Sequence, residues 1–423
     1  MFRNILFSYA FFYPLFMAWI WMVGGTWYYW RWERRIGLPD SPPEYTPKPY
    51  ASILIPCFNE EQNVQDTVAY ALASDYPNFE VIAITDGSTD NTKSILNELA
   101  KAHANLRIVH LHGNEGKALA MRAGAIAARS DYLVCIDGDA LLHPTAVTWI
   151  MWHFLTGVRV GAVTGNPRIL NRTTILGKLQ VGEFSSIIGL IKRAQRVYGK
   201  IFTVSGVIGG FRKTALHHIG YWSEIMATED IDISWRMQLA HWDVRYEPCS
   251  LCYIYMPETL RGLWKQRLRW AQGGVEVLLH HGKELFSWRS RRFWGVAIEY
   301  LASVIWAYAM LTIILLYFAG VFIPIAPSWY VYTLLPQWNG VVLGCTCLVQ
   351  FTVSMIIDKR YEPDRKYFRT YFWIVWYPLV FWLINLATVV VAVPKVLISG
   401  RAKRARWVSP DRGLRPREEN TDA

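Results

Sequence analysis

The sequence predicts an α/β domain with a mostly parallel sheet, set between membrane-spanning helices. Two patterns predict it. Between Tyr50 and about Trp288 short apolar runs alternate with helical stretches, and long apolar, aromatic stretches stand on either side of that region. Composition agrees: 52% of the 423 residues are apolar, 21 are Trp, and 18% are charged, against about 25% charged in ordinary soluble domains.

The first apolar stretch runs from Leu6 to Trp30, long enough to span a bilayer. It is too long for a signal-peptide core and has no small-residue cleavage site. Arg31, Arg34 and Arg35 follow at once, which places the next domain on the cytoplasmic side. A proline-rich linker, Pro39 to Pro49, closes an N-terminal segment of residues 1–49. The strands are then expected at Ser52–Pro56, Phe79–Ile84, Leu106–Leu111 and Tyr132–Ile136. Helices are expected at Glu61–Ser74, Asn91–His103 and Gly116–Arg129, so the alternation is β-α-β and the sheet is covered on both faces. This α/β domain is expected to occupy residues 50–290.

Ala297–Ile323, Val341–Ile357 and Tyr371–Val393 form a second membrane region within residues 291–400, followed by a basic tail at 401–423. Three crossings would carry that tail, with Arg401, Lys403, Arg404 and Arg406, to the outside, against the positive-inside rule. Either one stretch is re-entrant or interfacial, or the tail breaks the rule. Pro378 and Asn385 make the last stretch the first candidate.

Lys and Arg number 44 against 33 Asp and Glu, a formal charge of +11. Such a balance suits nucleic acid, anionic lipid or a phosphate-bearing substrate. No zinc finger, helix-turn-helix or aromatic RNA-binding signature accompanies it, and many of the cations crowd beside apolar spans, so nucleic acid is excluded and the bilayer kept. The six cysteines have no disulfide-scaffold spacing, and Cys249–Cys252 is a single C-x-x-C pair with no second pair after it, so buried reduced thiols are expected.

Ligands of such sheets bind beyond the carboxyl ends of the strands. There the first strand runs into Pro56-Cys57-Phe58-Asn59-Glu60, the second into Thr85-Asp86-Gly87-Ser88, and the fourth into Asp137-Gly138-Asp139. Asp-Gly pairs also make turns. Three aspartates at one rim nonetheless repel unless something positive lies between them, and a hard divalent cation with phosphate in its shell fills that need. Asn114-Glu115-Gly116-Lys117 opens a helix and suits a phosphate or nucleotide, although the spacing is not that of a P-loop. Thr228-Glu229-Asp230 precedes the amphipathic stretch Ile231–Leu239. It is either an N-cap with acids on the helix dipole or a general base for a sugar hydroxyl. In Gln266-Arg267-Leu268-Arg269-Trp270, two arginines suit a diphosphate and a Trp face suits a sugar ring.

Taken in order, Asp86, Asp137/Asp139, Asp230 and Gln266/Arg269/Trp270 resemble the pattern of the family 2 glycosyltransferases over about residues 50 to 290. The last of these motifs marks their processive branch, which includes cellulose, chitin and hyaluronan synthases. One departure is that Thr85 stands where many members carry another acid. Gly165-Asn166-Pro167-Arg168, the run from Gln180 to Gly189, Met256-Pro257-Glu258-Thr259-Leu260 and the tail from Arg404 to Arg412 are similar to the bacterial branch that makes poly-β-1,6-N-acetylglucosamine.

That resemblance implies a GT-A nucleotide-sugar-binding fold and an inverting polymerase in the bacterial inner membrane. Its donor would be UDP-GlcNAc, its metal Mg²⁺ or Mn²⁺, and its product a biofilm exopolysaccharide exported through the membrane helices. It implies Asp86 on the uridine, Asp137 and Asp139 on the metal and donor, and Lys117 on the nucleotide. Pro56, Asn59 and Glu60 line the donor site, Asp230 is the base with Glu229 beside it, and Gln266, Arg269 and Trp270 serve leaving group and acceptor. A small membrane partner and control by cyclic di-GMP are implied as well. The alternatives are another processive β-glycan synthase, a transferase that loads sugar onto a lipid phosphate, and a non-catalytic membrane scaffold, which has no use for Asp137, Asp139 and Asp230 together.

Overall fold

The computed structural model describes residues 2–334, 337–362 and 367–399, so the basic tail expected at 401–423 lies outside the described residues. Its centre is an eight-stranded sheet in the order β3-β2-β1-β4-β7-β6-β8-β5. The first four strands are β1 (Ala51–Cys57), β2 (Phe79–Asp86), β3 (Leu106–Leu111) and β4 (Tyr132–Ile136), mutually parallel as expected. The helices Val64–Leu72, Thr92–Ala102 and Lys117–Ala127 connect them.

Alternation along β1 and β2 sorts side chains onto the two faces. Ile53, Ile55, Val81 and Ala83 join one core with Val64, Val68 and Ile150, whereas Leu54, Ile82 and Ile84 join another with Ala120, Met121 and Ala125. Burying each Leu or Ile contributes about 1.5–3 kcal/mol.

The remaining strands make the sheet mixed. β7 (Ile208–Arg212) runs antiparallel to β4 and to β6 (Val160–Ile169), β8 (Asp243–Ile254) runs parallel to β6, and β5 (Leu141–Leu142) closes the edge antiparallel to β8. β7 thereby brings the loop before it, Ser205–Val207, to the carboxyl end of β4, where the Asp137 N–H donates to the Val207 carbonyl at 3.2 Å.

Among the described residues four helices are long and apolar enough to cross a membrane: Arg3–Arg35, Trp288–Phe322, Trp338–Tyr361 and Phe381–Ile398. The suspect fourth stretch is interrupted at Val375–Trp376, and helix Tyr377–Ser399 starts there. Pro378 is therefore in the first turn, where its missing N–H and fixed φ cost nothing. Cys345, expected to be buried, is exposed on the Trp338–Asp358 helix, while the other five thiols are buried, and all six are free.

A buried charge network joins sheet and helices. Arg193 donates to Glu33 through Nε at 2.6 Å and Nη2 at 2.9 Å, and to Asp358 through Nη1 at 2.9 Å. Arg168, at the end of β6, reaches Asp358 and Glu362, and Tyr361 donates its hydroxyl to Glu33 at 2.6 Å. Charges this deep persist only when each is paired. Here the partners come from the end of the first long apolar helix, the end of the third, and the sheet domain between them.

Candidate active site

The residues singled out in sequence gather at the carboxyl ends of β1, β2 and β4. Asn59 sits in the left-handed region at φ 54°; its side-chain oxygen accepts from the Thr89 N–H at 2.9 Å, and its own N–H donates to Ser88 Oγ at 3.1 Å. Glu60 is buried; its N–H donates to Thr92 Oγ1 at 2.8 Å and its carboxylate accepts from the Asn63 amide at 3.3 Å. These bonds stitch the loop after β1 to the loop after β2. The Pro56 carbonyl at the other side of that loop lies against Gly138.

Asp86 is fully buried, and its two oxygens accept from the N–H groups of Glu115 and Gly116, both at 2.8 Å. It clamps the Asn114–Lys117 turn onto the end of β2. Gly87 beside it adopts φ +66°, and a Cβ there would lie 2.4 Å from the Gly113 carbonyl carbon, so no other residue fits.

Lys117, at the start of its helix, ties the site together. Its Nζ lies 2.5 Å from Asp137 Oδ1 and 3.1 Å from Glu229 Oε1, and it donates to the Gly206 carbonyl at 3.4 Å. Burial alone would lower the ammonium; Asp137 and Glu229 more than reverse that and hold it charged. Glu229 and Asp230 start helix Glu229–Leu239, and Gly206 also lies against Asp230. Burial raises Glu229, but Lys117 and Arg269 outweigh it and keep that carboxyl below its usual range. Asp230 is pushed up to about 6 by burial and then by the Glu229 charge, with Lys117 and Arg269 pulling the other way. One acid is held ionised and its neighbour is poised near neutrality, the separation that acid–base chemistry requires.

The N-cap reading of Thr228 does not hold. Its side chain makes no capping bond, and its Oγ1 is turned instead toward Gly273, where a Cβ would come within 1.9 Å. Thr228 thus sets the approach of this helix to helix Leu260–Leu285, which carries the Gln-x-x-Arg-Trp motif and is itself capped by Thr259, whose Oγ1 accepts from the Gly262 N–H at 3.0 Å.

On that second helix the two arginines diverge. Arg267 is buried, bonded to Glu183 at 2.5 Å and stacked 4.2 Å from the Trp270 ring centre, so it is engaged away from any leaving group. Arg269 is exposed and acts on the Glu229 and Asp230 charges. Trp270 is half-buried against the core, and Gln266 donates a long contact, 3.9 Å, to Met256 Sδ.

Comparison with known proteins gives this arrangement its family. The model of the family described as "Glycosyltransferase like family 2" matches residues 47–273. A poly-beta-1,6-N-acetyl-D-glucosamine synthase of Staphylococcus epidermidis is 40% identical over 96% of this chain and 98% of its own, and one of Staphylococcus aureus is 39% identical over the same shares. The chain belongs to glycosyltransferase family 2. A mannosyltransferase from Pyrobaculum calidifontis, solved with GDP-mannose and Mn²⁺, superposes with TM-score 0.61 at 17% identity, covering 94% of this chain and 98% of that one. The likeness places the sheet domain in the GT-A fold.

Asp137 and Asp139 are of the residue type that could hold a hard metal ion, although Asp137 Oδ1 already lies against Lys117 Nζ. They are hard oxygen donors on either side of Gly138. Burial, and after it the charges of Asp137 and Asp139, raise the nearby Cys252 thiol above its usual range. Among the described residues no three His, Cys, Asp or Glu side chains cluster as a complete cage.

Three contributors escaped the sequence reading: Gly206, pressed between Asp230 and Lys117; Glu183, which takes up Arg267; and Tyr377, which donates to Glu183 at 3.1 Å. Only the Gly-Gly run after Gly206 hinted at a close approach.

Proposed function

We propose that this chain is a processive, inverting N-acetylglucosaminyltransferase of the bacterial inner membrane. It would polymerise UDP-GlcNAc into a β-1,6-linked exopolysaccharide, with residues 50–290 forming its cytoplasmic catalytic domain. The observation that carries the chemistry is the charge cluster: Asp230 raised to about 6 beside an ionised Glu229, with Lys117 joining Glu229 to Asp137 across the site. The synthase names of the 40%- and 39%-identical relatives support the sugar and the linkage.

Asp230 takes the proton from the acceptor hydroxyl, O6 of the terminal sugar, as that oxygen attacks the anomeric carbon from the face opposite UDP. Asp86 and Lys117 order the nucleotide end, with Pro56, Asn59 and Glu60 shaping the wall of the donor site. Asp137 and Asp139 would hold Mg²⁺ or Mn²⁺, which when bound supplies charge to the departing diphosphate. Arg269 adds preorganised positive charge at the same place. Trp270, locked by Arg267, presents a flat face to the acceptor sugar, and Gln266 lies one turn before it.

A cavity of about 300 Å³ between the membrane helices supports export by the same chain. Its wall mixes Ser186, Gln350 and Asn385 with Trp21, Trp306 and Trp382, the pairing of hydrogen-bonding groups and aromatic faces that suits a sugar chain. Tyr377 lines this cavity and bonds Glu183, whose other partner is Arg267 under Trp270. The acceptor platform and the cavity thus share one set of bonds. On family resemblance we assign it a small membrane partner as well.

The test is incubation of membranes containing the chain and that partner with UDP-GlcNAc and Mg²⁺, followed by linkage-specific digestion. Polymer cut by a β-1,6-N-acetylglucosaminidase establishes the reading. Polymer resistant to it but cut by chitinase overturns the linkage, and a labelled lipid in place of polymer overturns processivity.

A further inference from the structure

A second pocket, of about 530 Å³, lies away from the acids, at the point where the chain enters the second apolar helix. Its wall brings together Arg159, Lys200, Arg289, Arg291 and Arg292, with His241 at the rim. The carboxylate in that wall, Asp243, is already engaged by Arg196 and Arg245, each at 3.0 Å. Five cations therefore line a space whose wall carries one carboxylate, itself shared with Arg196 and Arg245. Burial lowers the Lys200 ammonium, Asp243 opposes that, and Arg196, Arg292 and Arg159 help to hold it below its ordinary value.

We propose that this pocket binds the phosphate headgroup of an anionic phospholipid from the leaflet facing the catalytic domain. The shared chemistry is a phosphate dianion or diester held by several guanidinium groups. Its surroundings select the lipid as the source. Phe286 and Trp288 stand beside the pocket 90% and 69% exposed, Arg291 lies 5.4 Å from the Trp288 ring centre, and the apolar helix Trp294–Phe322 follows directly. A headgroup in the pocket leaves its acyl chains along that helix, and exposed aromatic rings at the start of such a helix favour the membrane interface. A soluble phosphate has no use for them.

The pocket is also tied to the site. Gln238 lines it and clasps the Ile201 backbone, accepting at 3.0 Å and donating at 2.7 Å. Ile201 leads into the segment that ends at Gly206, against Asp230, and Gln238 ends the helix that Glu229 and Asp230 begin. The lipid thus sits at one end of the helix and the acids at the other, about 15 Å apart along its axis.

The full chain, purified and placed in nanodiscs, provides the test. Native mass spectrometry should show phosphatidylglycerol retained through delipidation in preference to phosphatidylcholine. Arg289, Arg291 and Arg292 are exposed, so their glutamine variants should fold with unchanged melting temperature. R289Q, R291Q and R292Q should each weaken phosphatidylglycerol retention about fivefold, and the triple variant should abolish the preference. A K101Q variant, on a helix of the sheet domain, should retain it. Equal retention of both lipids by the parent chain overturns the site, as does undiminished phosphatidylglycerol in the triple variant. If cyclic di-GMP or pyrophosphate binds in detergent, depends on the same arginines and leaves phosphatidylglycerol unselected, the ligand is soluble and the lipid assignment falls.

Discussion

Lys117 and Glu229 meet at 3.1 Å, joining the helix that follows β3 to the helix that carries Asp230. Because the same ammonium also holds Asp137, one cation neutralises two acids of the site and leaves Asp230 as the carboxyl without a full partner.

Replacing this cation should therefore damage more than nucleotide contact. Lys117→Met removes the cation shared by Asp137 and Glu229, leaving Glu229 with the field of Arg269 alone, and should destabilise the fold. Isothermal titration should show UDP binding weakened at least tenfold, with a lower melting temperature. Unchanged affinity would remove Lys117 from the donor site.

Asp230→Asn should keep donor binding nearly intact while polymer synthesis falls by about 10²–10⁴-fold, the contribution of a general base. Titrating UDP-GlcNAc against the variant and counting incorporated label separates the two effects. Polymer output close to that of the parent chain would rule the base out.

The pH profile follows from the same carboxyl. Asp230 works ionised and titrates at about 6, so turnover should be full above that pH and be lost as pH falls through it. Glu229 lifts Asp230 through its charge, so Glu229→Gln should move this limb to lower pH. A limb that stays in place in the variant contradicts the coupling.

Trp270→Ala should spare hydrolysis of the donor more than elongation, because the ring is assigned to the acceptor and not to UDP. It also removes the face over which Arg267 lies. Equal loss of both reactions would end the platform role.

In the charge network, Asp358→Asn withdraws the carboxylate shared by Arg168 and Arg193 and should cost about 3–5 kcal/mol. A fall in melting temperature in detergent, larger than for Asp66→Asn on an outer helix, checks it.

The parts legible in sequence were those built from local patterns. The four parallel strands show as apolar runs, and Asp86, Asp137 and Asp139 show as acids at or just beyond strand ends. β5 to β8 escaped because β5 is two residues long and the later strands mix apolar residues with Gly, Arg and Glu that partners elsewhere satisfy. Arg193, Glu33 and Asp358 read as ordinary surface charges until the fold brings them together, and no spacing along the chain encodes that meeting. Arg267 misled for a related reason: an arginine spent on a buried acid looks the same in sequence as one aimed at a diphosphate.

The network also constrains the order in which the protein is made. Arg193 leaves the ribosome long before Asp358, and Arg168 before both Asp358 and Glu362, so the sheet domain emerges with two buried-to-be cations lacking some of their anions. Arg168 and Arg193 gain their full set of carboxylates only once the third apolar helix has packed against the sheet domain.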